Sequence, residues 1–399
     1  MSKKVITIVA ILILIIFLII CVSLLYNKNL KPATRIFDRN NKLIDEIKYG
    51  DIEYFDKIKS YYIASSLEKI LKDIENKENI SEEEAEKILV TGGYDIYLCM
   101  DYGMQSKLEK VYSELEKDEE NVESASVILD NKSGEIIAVV GGRNINNDVV
   151  TFGKVSGDHK YTNKNLALEE YLLPGYFLTD ISVYAYALEN SYITLDSVVK
   201  EETAMGSYRP QNAKYNQNFT VKEAITNKYR IYPANLMYNE LNLDDVAIFL
   251  KNINIELNEY EKNVPSLALG GMNRGVRLID MATAYRLILT DGIYRNPTLY
   301  SLVKSSVDGN IYLKISKEEK NIVSENVVKD LKECLRKEID GKDMFIQSEI
   351  VQGNVAHWQT ITDDNYTYVS VFYDKFGSSM KLQDNMSERL INKLISYNK

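Results

Sequence analysis

The sequence is short of the residues from which metal and redox sites are built: its 399 residues hold 2 histidines and 3 cysteines. The histidines, His159 and His357, stand far apart, and only Cys99 and Cys334 lie beyond an apolar run near the N-terminus. No metal-ligand spacing can be read from them, and no cofactor is called for. A Cys99–Cys334 disulfide is open to the sequence, but two separate buried thiols are expected. Acidic residues outnumber basic ones, 58 to 48. The net charge of −10 comes without a basic patch and argues against nucleic acid and against an anionic membrane surface as partners. Internal repeats, low-complexity tracts and the compositional bias of disorder are absent. The chain should therefore bury the core of one large domain or two smaller ones.

What is present begins with Val5 to Tyr26, twenty-two residues without a charge. As a helix this run spans roughly 33 Å, enough to cross a hydrocarbon core. The alternative, a cleaved signal peptide, fits less well, because the run is too long and no small-x-small site follows it. A lipoprotein signal at Cys21 would need a small residue where Ile20 stands. Lys3 and Lys4 are answered by Lys28, Lys31, Arg35 and Arg39, so charge alone does not orient the helix. A four-residue head before so large a body favours a single-pass anchor in the cell membrane with the C-terminal body extracytoplasmic. The expected division is 1–26 cytoplasmic tail and anchor, 27–120 stalk and linker helices, and 121–399 main domain.

Along the body, Arg35 to Glu46 reads as two extended runs around a turn at Asp38 to Lys42. Charged helical patterns fill Lys57 to Val90, with Ser81-Glu-Glu-Glu as a capping box. Ala125 to Leu129 and Glu135 to Val140 flank Asp130-Asn-Lys-Ser-Gly as a hairpin of the main sheet. Leu278, Met281, Ala282, Tyr285, Ile288 and Leu289 predict an amphipathic helix ended by Asp291-Gly292, and Tyr366 to Tyr373 a late strand. Strands bracketing a helical middle give an α+β fold, helices packed on a mainly antiparallel sheet.

Several segments together resemble the class A penicillin-binding proteins. Arg35 to Ile44, Gly92-Gly-Tyr-Asp-Ile-Tyr-Leu-Cys-Met-Asp-Tyr-Gly-Met-Gln, the hairpin, and Leu269-Gly-Gly-Met-Asn-Arg-Gly-Val with the helix after it carry the likeness. The resemblance implies a β-lactamase/DD-transpeptidase-like domain, an antiparallel sheet with a helical cluster. It also marks two departures. Fewer than twenty residues separate Ile44 from the linker helices, where the family inserts a glycosyltransferase domain. The other departure is in the three motifs S-x-x-K, S-x-N and K-[ST]-G, which in the resembling enzymes supply the nucleophile and its base, relay protons, and anchor the substrate carboxylate.

Leu173-Pro-Gly-Tyr-Phe-Leu-Thr-Asp aligns on the family's Pro-Gly helix start, with Phe177 read at the nucleophile position and Thr179 at the lysine. Neither a benzyl ring nor a threonine hydroxyl can do that work. Lys228 and Arg230 fall on the S-x-N residues, and Asn354, Val355 and Ala356 stand nearest the K-[ST]-G position upstream of Trp358. Ser66-Lys69, Ser197-Lys200, Ser301-Lys304 and Ser378-Lys381 match S-x-x-K outside any Pro-Gly helix start, and Lys132-Ser133-Gly134 matches K-[ST]-G within the hairpin turn. These five are read as coincidences. Tyr176 as a substitute nucleophile lacks an adjacent base, and His357 reads as a strand residue beside Trp358.

The expectation is a noncatalytic, membrane-anchored homologue that acts as a scaffold or regulator among wall-synthesis or division proteins. The alternatives are a receptor whose Lys228 and Arg230 hold a peptidoglycan peptide or a related anionic ligand, and a residual penicillin-binding transpeptidase. Phe177 is expected to plug the old cleft, and Lys228 or Arg230 to pair with Asp180.

Overall fold

The computed structural model describes residues 15–16, 32–114, 122–142, 165–200, 217–339, 341–351, 353 and 355–374. The expected anchor, residues 5–26, falls almost wholly outside them, and among the described residues no helix is long and apolar enough to cross a membrane. His159, Asn354 and the Ser378-Lys381 match also lie outside.

Strands β1 (Thr34–Phe37) and β2 (Leu43–Ile47) form the first hairpin. Its turn is held by the Asp38 carboxylate, which accepts from Asn40 N at 2.9 Å and Lys42 N at 2.8 Å, with Asn41 at φ 64°. A loop with one short turn, Ile52–Asp56, leads directly into the Tyr61–Glu78 helix. The Glu82–Thr91 helix opens on the Ser81–Glu84 capping box. Strand β3 (Tyr94–Leu98) and the Tyr102–Ser113 helix follow, then the main hairpin, β4 (Val122–Asp130) and β5 (Ile136–Val140). Later come β6 (Tyr300–Ser305), β7 (Ile311–Lys314), β8 (Arg336–Ile339), β9 (Lys342–Ile350), β10 (Ala356–Thr362) and β11 (Tyr366–Asp374).

The main sheet is fully antiparallel in the order β8-β9-β10-β11-β4-β5. A second sheet runs β7-β6-β3-β1-β2, with β1 and β3 parallel. Because β3 pairs with β6 along Tyr94–Leu98, residues on both sides of the expected break near 120 share one sheet. Tyr62 strengthens that join, its hydroxyl lying against the carbonyls of Ile136 and Leu299.

The Leu278–Leu289 helix departs from its amphipathic reading, since all of its residues are buried. It packs across β4, β10 and β11 on one side and against the Glu325–Leu335 helix on another. Most of its polar groups find partners within the fold, the buried Arg286 Nε being left without one among the described residues. Arg277 binds Asp280 at 2.7 and 2.8 Å, and Arg286, wholly buried, donates to the carbonyls of Asn131 and Ile293. Cys99 and Cys334 are separate buried thiols, each pushed up to about 12 chiefly by burial. Ser66 lies inside a helix and Ser301 on a strand, while Gly134 closes the hairpin turn at φ 72°, so three of the chance motif matches have ordinary structural roles.

Candidate active-site region

The segment after Leu172 is shaped by two glycines in contact. Gly175 takes φ 55°, and a Cβ on Gly270 would stand 1.9 Å from the Gly175 carbonyl oxygen, so neither position accepts a side chain. The chain then runs through a 3₁₀ turn, Gly175–Leu178, a π-helical stretch, Asp180–Ala185, and an α turn, Tyr186–Glu189. Such wide turns are rare and alter which side chains share a face.

Phe177 is fully buried, its ring centroid 4.4 Å from Tyr285 and 5.5 Å from Trp358. It points into the core between the central helix and β10, not toward Lys228 and Arg230. The expected plug is therefore a core residue. The side chain that faces the Lys228–Arg230 segment is Tyr176, with the Arg230 guanidinium 5.1 Å from its ring centre and its hydroxyl 3.2 Å from the Tyr229 carbonyl. Spacing agrees with this geometry, because the residue three before Thr179 is Tyr176, whereas Phe177 is only two before it. The nucleophile position moves accordingly from Phe177 to Tyr176.

Neither hydroxyl at this helix start is exposed. Tyr176 is 1% exposed, also contacts the Tyr184 hydroxyl at 3.2 Å, and has its phenol pushed well above 10, mainly by burial and further by Asp180. Thr179 donates to the Ala268 carbonyl at 2.7 Å. Asp180 sits one residue on. One of its carboxylate oxygens meets the Gln347 amide and, at 3.0 Å, the Tyr285 hydroxyl, while the other has no hydrogen-bond partner among the described residues. Burial raises this carboxyl to about 6, against the lowering pull of Gln347, Tyr285 and Lys228.

Strand β9, not the turn before β10, lines this region. Gln347 and Glu349 alternate inward on it, while Val355 and Ala356 stand beyond its end. Glu349 lies 3.2 Å from where a Gly175 Cβ would be, and Arg230 grips its carboxylate at 2.8 and 3.0 Å. Lys228, at φ 55°, donates to the Ser348 carbonyl. Burial pulls its amine below the ordinary value, with Glu349 and Asp180 opposing that pull. Of the two expected partners of Asp180, Arg230 binds Glu349 instead, while Lys228 acts on Asp180 through charge attraction and Gln347 and Tyr285 hold its carboxyl by hydrogen bonds. Sequence reasoning missed Gln347 and Glu349 as members of this region.

The sequence profile of the penicillin-binding protein transpeptidase domain matches residues 124–359, more than half of the chain, and the protein belongs to that family. Among curated proteins, penicillin-binding protein 1A of Clostridium novyi is 23% identical over 339 residues, covering 81% of this chain and 37% of that one. Penicillin-binding protein 1F of Bacillus subtilis is 26% identical over 290 residues, covering 69% of this chain and 37% of that one. The chain thus spans well under half the length of these relatives. Among solved structures, PonA1 of Mycobacterium tuberculosis in complex with penicillin V superposes with a TM-score of 0.63 at 18% identity, over 82% of this chain and 89% of that one. Penicillin-binding protein A of the same organism gives 0.66 at 12% identity, over 92% and 98%. These likenesses establish the α+β penicillin-binding transpeptidase fold.

Proposed function

We propose that this chain is a noncatalytic member of the family, held at the cell membrane by residues 5–26 and acting through protein contacts in peptidoglycan synthesis or division. The carrying observation is the sealed helix start. Tyr176 takes the nucleophile position in this reading as a buried, protonated phenol whose hydroxyl meets the Tyr184 hydroxyl and the Tyr229 carbonyl among the described residues, and the Thr179 hydroxyl is committed to a backbone carbonyl. Strand β9 turns Gln347 and Glu349 into this region, which brings in a carboxylate where a substrate carboxylate would need a cation. Between β2 and the Tyr61–Glu78 helix there is only a short loop, so polymerisation by a domain inserted there is not part of this reading.

Complementation tests the proposal. In a strain lacking the protein, Tyr176→Phe and Thr179→Val should each restore the wild-type phenotype, because a scaffold needs neither hydroxyl. Cross-linking from the body should recover wall-synthesis or division proteins. Loss of complementation by either variant, with the folded protein present at normal level, would contradict a noncatalytic role. A receptor reading requires an anionic ligand to displace Glu349 from Arg230.

A further inference from the structure

We propose that Arg230 forms a carboxylate-binding site that the chain fills with its own Glu349. Four observations carry this. First, Glu349 is an inward residue of β9 with its side chain 3% exposed, a position where a strand ordinarily buries an apolar group. Second, the Arg230 Nη2 nitrogen donates to both oxygens of its carboxylate, at 2.8 and 3.0 Å, a charge-assisted contact that holds the group in one orientation. Third, Arg230 is anchored independently of Glu349, at the N-terminal boundary of the Ile231–Asn239 helix and over the Tyr176 ring. Its side chain stays 27% exposed, so the site has an opening to solvent. Fourth, Gly175 leaves the space against the Glu349 stem that any side chain would occupy.

The carboxylate is therefore a resident ligand on a preformed cationic site. External monocarboxylates are excluded because the resident group is covalently tethered and present at high effective concentration. The inference uses the noncatalytic reading only in taking this groove as a place where a ligand would be held, and its test does not depend on acylation.

Glu349→Ala removes a fragment that acetate reproduces atom for atom. Acetate titrated into this variant should raise Tm saturably, by about 2–4 °C, over an equal-ionic-strength chloride control. It should also change the emission of Trp358, the single tryptophan of the chain, which sits across the β9–β10 ladder from Glu349. Wild type and Glu349→Gln, whose sites remain filled, should show neither effect, and Glu349→Ala/Arg230→Met should lose both. If Glu349→Ala does not fold, Glu349→Ser is titrated in its place. Folded Glu349→Ala or Glu349→Ser with no acetate response beyond chloride, or an equal response in wild type, overturns the proposal. Covalent penicillin labelling would instead count against the noncatalytic reading alone.

Discussion

Replacing Phe177 by alanine distinguishes a core ring from a lid over a groove. The ring is fully buried between Tyr285 and Trp358. Truncating a buried phenylalanine costs about 3–5 kcal/mol in lost transfer energy and cavity formation. The two ring contacts, each worth about 0.5–1.5 kcal/mol beyond area burial, place this site in the upper part of that range. The Tyr285 hydroxyl, 2.7 Å from the Phe177 carbonyl, resists collapse of the backbone into the hole. Urea unfolding followed by far-UV circular dichroism reads the change, and an unaltered slope would assign it to stability and not to the denatured state. Phe177→Leu should cost only about 1–2 kcal/mol, because it refills most of the volume. A loss below about 1 kcal/mol for Phe177→Ala would refute the core assignment and return the ring to the groove.

Arg230→Met should destabilise by about 3 kcal/mol, at the low end for a broken buried pair because the arginine is partly exposed, and Arg230→Met/Glu349→Leu should recover much of that loss in the same unfolding assay. Asp180 sets a pH dependence. Its folded-state value of about 6 lies above the ordinary 3.8, so its contribution to stability is full below about pH 4 and lost as pH rises through about 6. Asp180→Asn should flatten the stability profile across that window and be the more stable form above it, and a wild-type profile unchanged by the substitution would remove Asp180 as its source. With Cys21 replaced by serine, the folded protein should not react with an aromatic disulfide reagent, and Cys99 and Cys334 should titrate together on unfolding.

The parts of the fold that were legible in the sequence are those specified by local chemistry. The Asp130–Gly134 turn carries its own Asx contacts and a left-handed glycine, so the β4–β5 hairpin could be read directly. Ser81 and Glu84 likewise declare the helix they open. Long-range closure was not legible, because nothing in Tyr94–Leu98 names Tyr300–Ser305 as its partner. Within the site, Pro174-Gly175 marked the helix start, but the π-helical stretch from Asp180 and the inward turn of Phe177 do not follow from a one-dimensional alignment. Gln347 and Glu349 were missed for a plain reason. Polar residues alternating along a strand signal a solvent face, and here that face is turned inward onto Asp180 and Arg230.

The central claim is that the protein forms no acyl-enzyme, at the Pro174-Gly175 helix start or elsewhere. Intact-mass spectrometry of the protein incubated with a penicillin tests it most directly. The account predicts an unshifted mass at drug concentrations that fully acylate an active penicillin-binding protein run alongside. A stoichiometric adduct mapped by peptide digestion to Tyr176, or to a serine beside a lysine elsewhere in the fold, would contradict it.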